Sequence, residues 1–204
     1  MILEARNVSY FYQSQRDKLI LDNVSCGFEC GRLYAILGPS GAGKTTLLSL
    51  LAGLDTPVQG EIRYDGIPVT PKDLARHRRS HISLVFQSYN LIDYLTPLEN
   101  VRLGGGGDPK MLLSSVGIGE EYWTRGVLQL SGGQQQRVAI ARALASDARV
   151  LLADEPTGNM DEATAWDVTE LLKQIAHEQG KCVIVVTHSR ELAQAADELI
   201  QIGK

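Results

Sequence analysis

The stretch LYAILGPSGAGKTT, residues 33–46, decides the fold. Its apolar first part, Leu33–Leu37, predicts a buried strand, and residues 38–45 fit the phosphate-binding loop pattern GxxxxGK(S/T). A helix is predicted over residues 46–52, and Gly53 closes it. The loop pattern therefore lies between a strand and a helix, which is the context that a phosphate-binding loop requires.

The loop residues suit the binding of a triphosphate. The glycines carry no Cβ, so several backbone N–H groups can approach anionic oxygens, and the start of the helix favours negative charge. Lys44 supplies a positive charge for the outer phosphates, and the Thr45 hydroxyl is placed to bind Mg²⁺. Because many unrelated ATPases, GTPases and kinases share this loop, it predicts nucleotide binding and no more. The candidate nucleotide-binding residues are Gly38, Pro39, Ser40, Gly41, Ala42, Gly43, Lys44, Thr45 and Thr46.

Composition narrows the class of protein. The 204 residues suit one large domain or a domain with a small inserted lobe. The content of 44% hydrophobic and 22% charged residues is typical of a globular protein. The formal net charge of −4 argues against a nucleic-acid partner. No apolar run approaches about 20 residues and the N-terminus does not resemble a secretion signal, so we expect a soluble, cytoplasmic chain.

Strand-like sequence precedes and follows the loop. Residues 2–8 and 19–28 come in short alternating runs on either side of a polar connection, which predicts an antiparallel flap on the main sheet. Asp65 and Gly66 lie between two further alternating runs and predict a hairpin.

Three aromatic residues, Tyr10, Phe11 and Tyr12, cluster just before the polar connection. One of these rings could stack on a nucleotide base, whereas aromatic residues near a strand end are more often part of the core. The residues alone leave both interpretations open.

The character of the chain changes after Gln87. Residues 88–130 combine an apolar segment with a helical pattern, and the four glycines at 104–107 are interpreted as a flexible connector. We therefore expect one domain over residues 1–204, with the flap and core in 1–87 and 131–204 and a small helical subdomain inserted at 88–130.

Ser131, Gly132, Gly133 and Gln134 open the next predicted helix. Ser131 and Gln134 have the spacing of a capping box, which is the simpler interpretation. Paired glycines at a helix start also expose backbone N–H groups to an anion, and their cost in helix stability suggests a close approach by another group. Both interpretations stay open at this point.

Polar residues follow two further apolar strands. Asp154 and Glu155 come directly after the run 150–153, and His188 comes soon after the run 182–186. Carboxylates are costly inside a core, so we expect Asp154 and Glu155 at the carboxyl edge of the sheet. There Asp154 could hold Mg²⁺ and Glu155 could polarise a water molecule.

Taken together, these motifs resemble the ATP-binding subunit of an ABC transporter over essentially the whole chain. The loop at 38–45, the sequence LSGGQ at 130–134, the strand 150–154 with Glu155, and His188 occur in the order found in that family. The LSGGQ sequence is much more specific than the phosphate-binding loop.

The resemblance implies an α/β fold, consisting of a P-loop NTPase core with a mostly parallel sheet, an N-terminal antiparallel β flap and a small inserted helical subdomain. Finer features at residues 86–88, 95–101 and 134–144 look most like the lipoprotein-releasing and macrolide-exporter branch. The stretch between Gln87 and Leu130 looks shorter than is usual in the family.

The resemblance also implies roles for individual residues. Tyr12 corresponds to the aromatic residue that stacks on adenine, and Gln87 to the lid glutamine that contacts Mg²⁺ and the attacking water. Glu155 corresponds to the general base, His188 to a γ-phosphate contact, and Asp161 to the aspartate at the dimer contact. The expected catalytic residues are Glu155, His188, Gln87 and Lys44, and the expected metal contacts are Thr45, Gln87 and Asp154.

In the family, the segment matching Ser131, Gly132, Gly133 and Gln134 reaches ATP from a second subunit, head to tail. The resemblance therefore implies an ATP-hydrolysing subunit that forms a homodimer or heterodimer and drives a separate membrane permease, in the direction of export, from the inner face of the cell membrane. The alternative is a nontransport ABC ATPase that acts as a regulator or scaffold of a membrane complex.

Overall fold

The computed structural model describes residues 1–14, 18–158 and 160–203. Asn159 and part of the predicted polar connection therefore lie outside the described residues. The strands and helices, in chain order, are β1 (Leu3–Tyr10), β2 (Leu21–Phe28), β3 (Leu33–Leu37), α1 (Lys44–Leu51), β4 (Gln59–Tyr64), β5 (Ile67–Pro68), α2 (Leu74–Ser80), β6 (Ile82–Val85), α3 (Pro97–Arg102), α4 (Pro109–Ser115), α5 (Gly132–Leu144), β7 (Val150–Asp154), α6 (Glu162–Glu178), β8 (Cys182–Val186), α7 (Arg190–Ala195) and β9 (Glu198–Gln201).

The main sheet consists of five parallel strands in the order β6, β7, β8, β3, β9. Alternate residues of its strands enter two separate hydrophobic cores: Val183 and Val185 of β8 lie in one, and Cys182 and Ile184 lie in the other. Because both faces are covered, the central strands are continuous apolar runs, and this is why the sequence predicts them correctly.

Parallel strands bring their carboxyl ends to one edge of the sheet. The phosphate-binding loop (residues 38–45) follows β3, and Gln87 follows β6. Asp154 ends β7 with Glu155 next to it, and His188 follows β8. The topology therefore gathers residues that are more than a hundred positions apart in the chain.

A second, antiparallel sheet has the order β2, β1, β4, β5 and forms the expected flap. Between β4 and β5, Asp65 and Gly66 have φ values of 49° and 74°. Two successive left-handed residues form the turn that matches the twist of a hairpin, so the predicted hairpin is confirmed.

The chain between β6 and α5 contains helices α3 and α4 and two short 3₁₀ turns, joined by loops. Thr96 forms a capping box with Glu99 at the start of α3, and Asp108 caps α4. The buried side chains of this segment join one of the two cores. The predicted fold class is confirmed, including the inserted helices, whereas the exact division at residues 88–130 remains a prediction.

The four glycines at 104–107 are not a simple flexible connector, and that prediction is wrong for Gly104. A Cβ on Gly104 would lie 2.0 Å from the Arg142 carbonyl oxygen and 2.9 Å from the Ala145 Cβ. The glycine therefore permits the end of α3 to contact the end of α5 closely. By contrast, a Cβ on Gly106 would lie 3.9 Å from its nearest neighbour.

The last strand, β9, is not predicted from the sequence. It is a four-residue edge strand that pairs with β3, and Asp197 just before it accepts a 2.7 Å hydrogen bond from the Leu33 N–H. A short strand of this kind is specified by its neighbour more than by its own pattern. No helix within the described part of the chain combines the length and hydrophobicity needed to cross a membrane.

Candidate functional site

A cleft of about 310 Å³ lies over the phosphate-binding loop. A larger groove of about 990 Å³ runs beside α6, but its lining contains no residue of that loop. The smaller cleft brings together residues from the flap, the loop and two strand ends, so we assign the candidate site to it. Its lining residues are Tyr12, Ile20, Ser40, Gly41, Gly43, Lys44, Thr45, Thr46, Glu155 and His188.

The loop has the backbone shape that its glycines predict. Gly41 and Gly43 have φ values of 78° and 91°, which side chains with a Cβ rarely adopt. A Cβ on Gly43 would also lie 3.0 Å from the Ile20 carbonyl oxygen. Helix α1 starts at Lys44, two residues earlier than predicted, so its first N–H groups face the loop.

Lys44 is only 6% exposed, and its ammonium group donates hydrogen bonds to the carbonyl oxygens of Gly38 (2.9 Å) and Pro39 (3.1 Å). These bonds satisfy a buried positive charge inside the loop itself. The same charge lies next to the space in which phosphate oxygens would be held, and this agrees with the role expected for Lys44.

Thr45 and Asp154 form the candidate metal-binding pair. The Thr45 hydroxyl donates a hydrogen bond to Asp154 Oδ1 over 3.2 Å. Burial raises the pKa of Asp154, while the Thr45 hydrogen bond and the nearby Lys44 charge act in the opposite direction. A half-buried carboxylate beside a hydroxyl fits Mg²⁺, which favours oxygen ligands and usually keeps several waters and phosphate oxygens in its shell.

The described residues contain no group of three or more His, Cys, Asp or Glu side chains that could hold a metal ion by themselves. Thr45 and Asp154 remain candidates for holding Mg²⁺ together with a nucleotide, because in phosphoryl-transfer sites this ion is usually bound by one or two side chains and by phosphate oxygens.

Glu155 and His188 contact each other across the ends of β7 and β8. Glu155 Oε1 lies 3.2 Å from His188 Nε2, and Glu155 Oε2 accepts a 3.2 Å hydrogen bond from the His188 backbone N–H. Glu155 has a φ of 47°, and its own N–H donates to the Val186 carbonyl oxygen over 2.9 Å. The loop therefore holds the carboxylate in the cleft in an uncommon backbone conformation.

Gln87 lies near this pair without lining the cleft. Its side chain is close to the loop after Glu155, because a Cβ on Gly158 would lie 2.9 Å from Gln87 Nε2. The Gly158 N–H in turn donates to the Glu155 carbonyl oxygen over 3.1 Å. The contact of Gln87 with metal and water remains a prediction.

Tyr12 forms the outer wall of the cleft. Its hydroxyl lies 2.8 Å from the Thr46 hydroxyl, and its ring makes an edge-to-face contact with Tyr10 at a centroid distance of 5.3 Å. Because Tyr12 is 44% exposed and lines the cleft, the position is compatible with stacking on a base. The sequence predicts Tyr12 as the base-stacking residue, but it does not predict the contacts of Tyr12 with Tyr10 and Thr46.

The signature segment (residues 130–134) forms the capped helix start predicted for it. Ser131 accepts from the Gln134 N–H, and the Gln134 side chain accepts from the Ser131 N–H. The paired glycines allow close packing: a Cβ on Gly133 would lie 2.3 Å from Thr164 Cγ2, and a Cβ on Gly132 would lie 2.8 Å from Tyr89 Oη. Anion binding by this helix start remains a prediction.

Asp161 precedes α6 and caps it. Its carboxylate accepts hydrogen bonds from the Thr164 N–H at 3.0 Å and the Thr164 hydroxyl at 2.7 Å, and these bonds lower the pKa of Asp161. Asp161 lines the larger groove beside α6, outside the cleft. Its part in a dimer contact remains a prediction.

Comparison with known proteins identifies the family. The model of the ABC transporter family matches residues 21–158. An uncharacterized ABC transporter ATP-binding protein of Bacillus subtilis strain 168, YclH, is 41% identical over 213 residues, covering 100% of this chain and 94% of the relative. The macrolide export ATP-binding/permease protein MacB of Rhodopirellula baltica is 41% identical over 201 residues, covering 91% of this chain but only 29% of MacB.

Solved structures agree with the sequence relatives. The dimeric structure of MJ0796, a bacterial ABC transporter cassette, superposes with a TM-score of 0.86 at 37% identity, covering 98% of this chain and 94% of the other. A dimeric, post-hydrolysis state of MJ0796 bound to ADP and Pi has a TM-score of 0.84 at 36% identity, with the same coverage. The chain therefore belongs to the ABC transporter family, as an ATP-binding cassette with ATPase activity.

Proposed function

We propose that this chain hydrolyses ATP with Mg²⁺ at sites completed by a second subunit, and that it drives a separate membrane permease in the direction of export. Each subunit supplies the phosphate-binding loop of one site and the signature segment of the other. ATP closes the dimer, hydrolysis reopens it, and the inserted helices pass this movement to the permease.

The position of the signature segment is the observation that carries this proposal. The cleft contains Lys44, Thr45, Glu155 and His188, but no residue from 130–134 is among the described residues that line it. Phosphoryl transfer is accelerated by positive charges and N–H donors around the γ-phosphate. The exposed Ser131 and the helix start behind it are donors of this kind that do not line their own cleft.

The residues that line one cleft and those next to it have complementary roles. Lys44 balances the charge of the outer phosphates, and the backbone N–H groups of the loop and of α1 bind their oxygens. Thr45 and Asp154 would hold Mg²⁺, which neutralises charge on the phosphate oxygens when it is bound. Gln87, whose side chain lies next to the loop that follows Glu155, would contact this ion and the attacking water.

Glu155 is the general base. Its carboxylate accepts a proton from the attacking water, while His188, 3.2 Å away, keeps it oriented and contacts the γ-phosphate. Asp161, at the start of α6, lies at the contact between the two subunits, where its hydrogen bonds to Thr164 hold it in place.

Complementation between two inactive variants tests the shared site. Lys44→Ala disables the loop of a subunit, and Ser131→Arg disables its signature segment. In a mixed dimer, one site carries both defects and the other carries neither, so equal mixing should restore about a quarter of the wild-type ATPase rate, because half of the dimers are mixed. If the mixture is no more active than the two variants alone, the shared site is wrong.

The permease and the direction of transport are supported by the relatives. MacB is named a macrolide export ATP-binding/permease protein, and YclH, of which this chain covers 94%, is named an ABC transporter ATP-binding protein. Purification of the Glu155→Gln protein from detergent-solubilised membranes with and without Mg·ATP tests this. A multispanning protein recovered with it supports transport, whereas recovery of only a non-transport membrane complex supports the regulator alternative.

A further inference from the structure

Two tyrosines on the flap side of the cleft form a connected series with residues of α1 and the loop after it. Tyr10 contacts Asp55, the rings of Tyr10 and Tyr12 contact each other, and Tyr12 contacts Thr46. Thr46 is part of the phosphate-binding segment and lines the cleft together with Tyr12. The series therefore ends inside the nucleotide site, and it starts outside that site at Asp55.

Tyr10 is the fixed member of this series. It is 6% exposed, and its hydroxyl donates a hydrogen bond to Asp55 Oδ2. Burial and the Asp55 carboxylate raise the pKa of Tyr10 to about 12, so the phenol keeps the proton that this bond needs. Asp55 is itself held, because its other oxygen accepts a 2.7 Å hydrogen bond from the Thr56 N–H.

Tyr12 is the exposed member, and it is restrained at two points. The planes of the Tyr10 and Tyr12 rings are at 90°, with their centroids 5.3 Å apart, which is the favourable edge-to-face geometry. At the other end, the Tyr12 hydroxyl lies 2.8 Å from Thr46 Oγ1. The ring remains 44% exposed, so these contacts orient it without covering it.

We propose that Tyr10 is a positioning residue, which with Thr46 holds the ring of Tyr12 in the orientation needed to stack on the base of a nucleotide. The inference rests on the proposed function, in which Tyr12 contacts the base. A ring that is already oriented loses less conformational freedom on binding. Affinity for the base should therefore depend on Tyr10, although Tyr10 itself does not touch the nucleotide.

A comparison of two ligands distinguishes a positioning role of Tyr10 from a general disruption of the nucleotide site. ATP carries a base, whereas inorganic tripolyphosphate has the phosphates alone. Tyr10→Leu should weaken ATP binding about three- to tenfold, because the edge-to-face contact is lost. Binding of tripolyphosphate should not change, since the loop around Lys44 is intact. The measurement is isothermal titration of the purified protein with each ligand in Mg²⁺ buffer.

Four further variants complete the design. Tyr10→Phe keeps the ring and should retain most of the ATP affinity. Tyr12→Leu should weaken ATP binding about tenfold or more by removing the stacking surface, and adding Tyr10→Leu to it should cause no further loss. Tyr94→Leu is the matched control, because Tyr94 is 87% exposed and lies outside the cleft.

Each outcome decides one question. An equal loss of ATP and tripolyphosphate affinity in Tyr10→Leu, or a loss that adds fully to that of Tyr12→Leu, would overturn the positioning role. Failure of the wild-type protein to bind ATP would instead refute the proposed function. If Tyr10→Leu does not fold, Tyr10→Met, which also removes the ring but fills the space with a flexible apolar side chain, takes its place: the inference is overturned if its tripolyphosphate affinity falls as much as its ATP affinity, or if its ATP affinity does not fall.

Discussion

Replacing Glu155 with glutamine tests the chemistry of the site most directly. The substitution keeps the size of the side chain and one carbonyl-type oxygen, but it removes the negative charge and the ability to accept a proton from water. If Glu155 is the general base, the ATPase rate should fall about 10²- to 10⁴-fold, which is the usual contribution of such a group.

The structure predicts a much smaller effect on folding. Glu155 makes two contacts to His188, each 3.2 Å long, and the glutamine oxygen can keep one of them. Loss of the other should reduce the free energy of unfolding by about 1 kcal/mol. For a chain of this size, that corresponds to a decrease in melting temperature of about 2–4 °C.

The assay combines phosphate release with light scattering in Mg·ATP. We expect the Glu155→Gln protein to bind ATP, release almost no phosphate and change from monomer to dimer, because closure is not followed by hydrolysis. Glu178→Gln, at the exposed end of α6, is the matched control and should match the wild-type protein in phosphate release and in light scattering.

Two results would refute the reasoning. Retention of more than about a tenth of the wild-type rate by Glu155→Gln would exclude Glu155 as the general base, since the expected loss is at least about a hundredfold. A protein that stays monomeric at all ATP concentrations, although it binds ATP and melts within a few degrees of wild type, would exclude ATP-driven closure by the isolated subunit.

Three further predictions concern stability. Because burial raises the pKa of Asp154, ionisation of this carboxyl group lowers the free energy of unfolding as the pH rises through the raised pKa. Asp154→Asn should therefore raise the melting temperature of the nucleotide-free protein at pH 7, with little effect below about pH 4. Gly104→Ala places a Cβ 2.0 Å from a carbonyl oxygen of α5 and should lower the free energy of unfolding, measured in urea, by about 1–3 kcal/mol. Gly106→Ala should leave this free energy unchanged or raise it slightly. Gly133→Ala should lower the free energy of unfolding, because the added Cβ would lie 2.3 Å from Thr164 Cγ2. Thr164→Ser removes that methyl group and should recover part of the lost free energy in a double-mutant cycle.

The contrary results are equally specific. A lower melting temperature for Asp154→Asn at pH 7 would mean that the carboxylate stabilises the empty site. Equal unfolding free energies for the Gly104 and Gly106 variants would mean that α3 and α5 separate easily. Full additivity of the Gly133 and Thr164 substitutions would mean that the two residues are not in contact in solution.

Local chemistry explains which parts of the fold were predictable. The strands of the main sheet are continuous apolar runs, the turn at Asp65 and Gly66 needs residues that tolerate positive φ, and Ser131 caps a helix with its own neighbours. Each of these features depends on a few consecutive residues. The sequence alone therefore predicts them, together with the strand ends that carry Asp154, Glu155 and His188.

Features that depend on distant neighbours were not predictable in this way. The glycine at 104 looks the same in the sequence as the one at 106, yet only Gly104 lies against the backbone of α5. Strand β9 exists because β3 offers it a parallel partner. The contacts of Tyr12 with Tyr10 and Thr46 depend on how the flap is placed over α1.

The sequence by itself determined the fold class and the phosphate-binding loop, and it predicted the candidate reactive side chains, because these follow from local backbone preferences and from residue chemistry. The tertiary structure alone decided which of those side chains share a cleft: it joins Lys44, Thr45, Glu155 and His188 and leaves the signature segment outside. The physical reason is that a parallel sheet aligns the carboxyl ends of its strands at one edge, whereas α5 is packed with the inserted helices, and residues 130–134 at its start do not line the cleft.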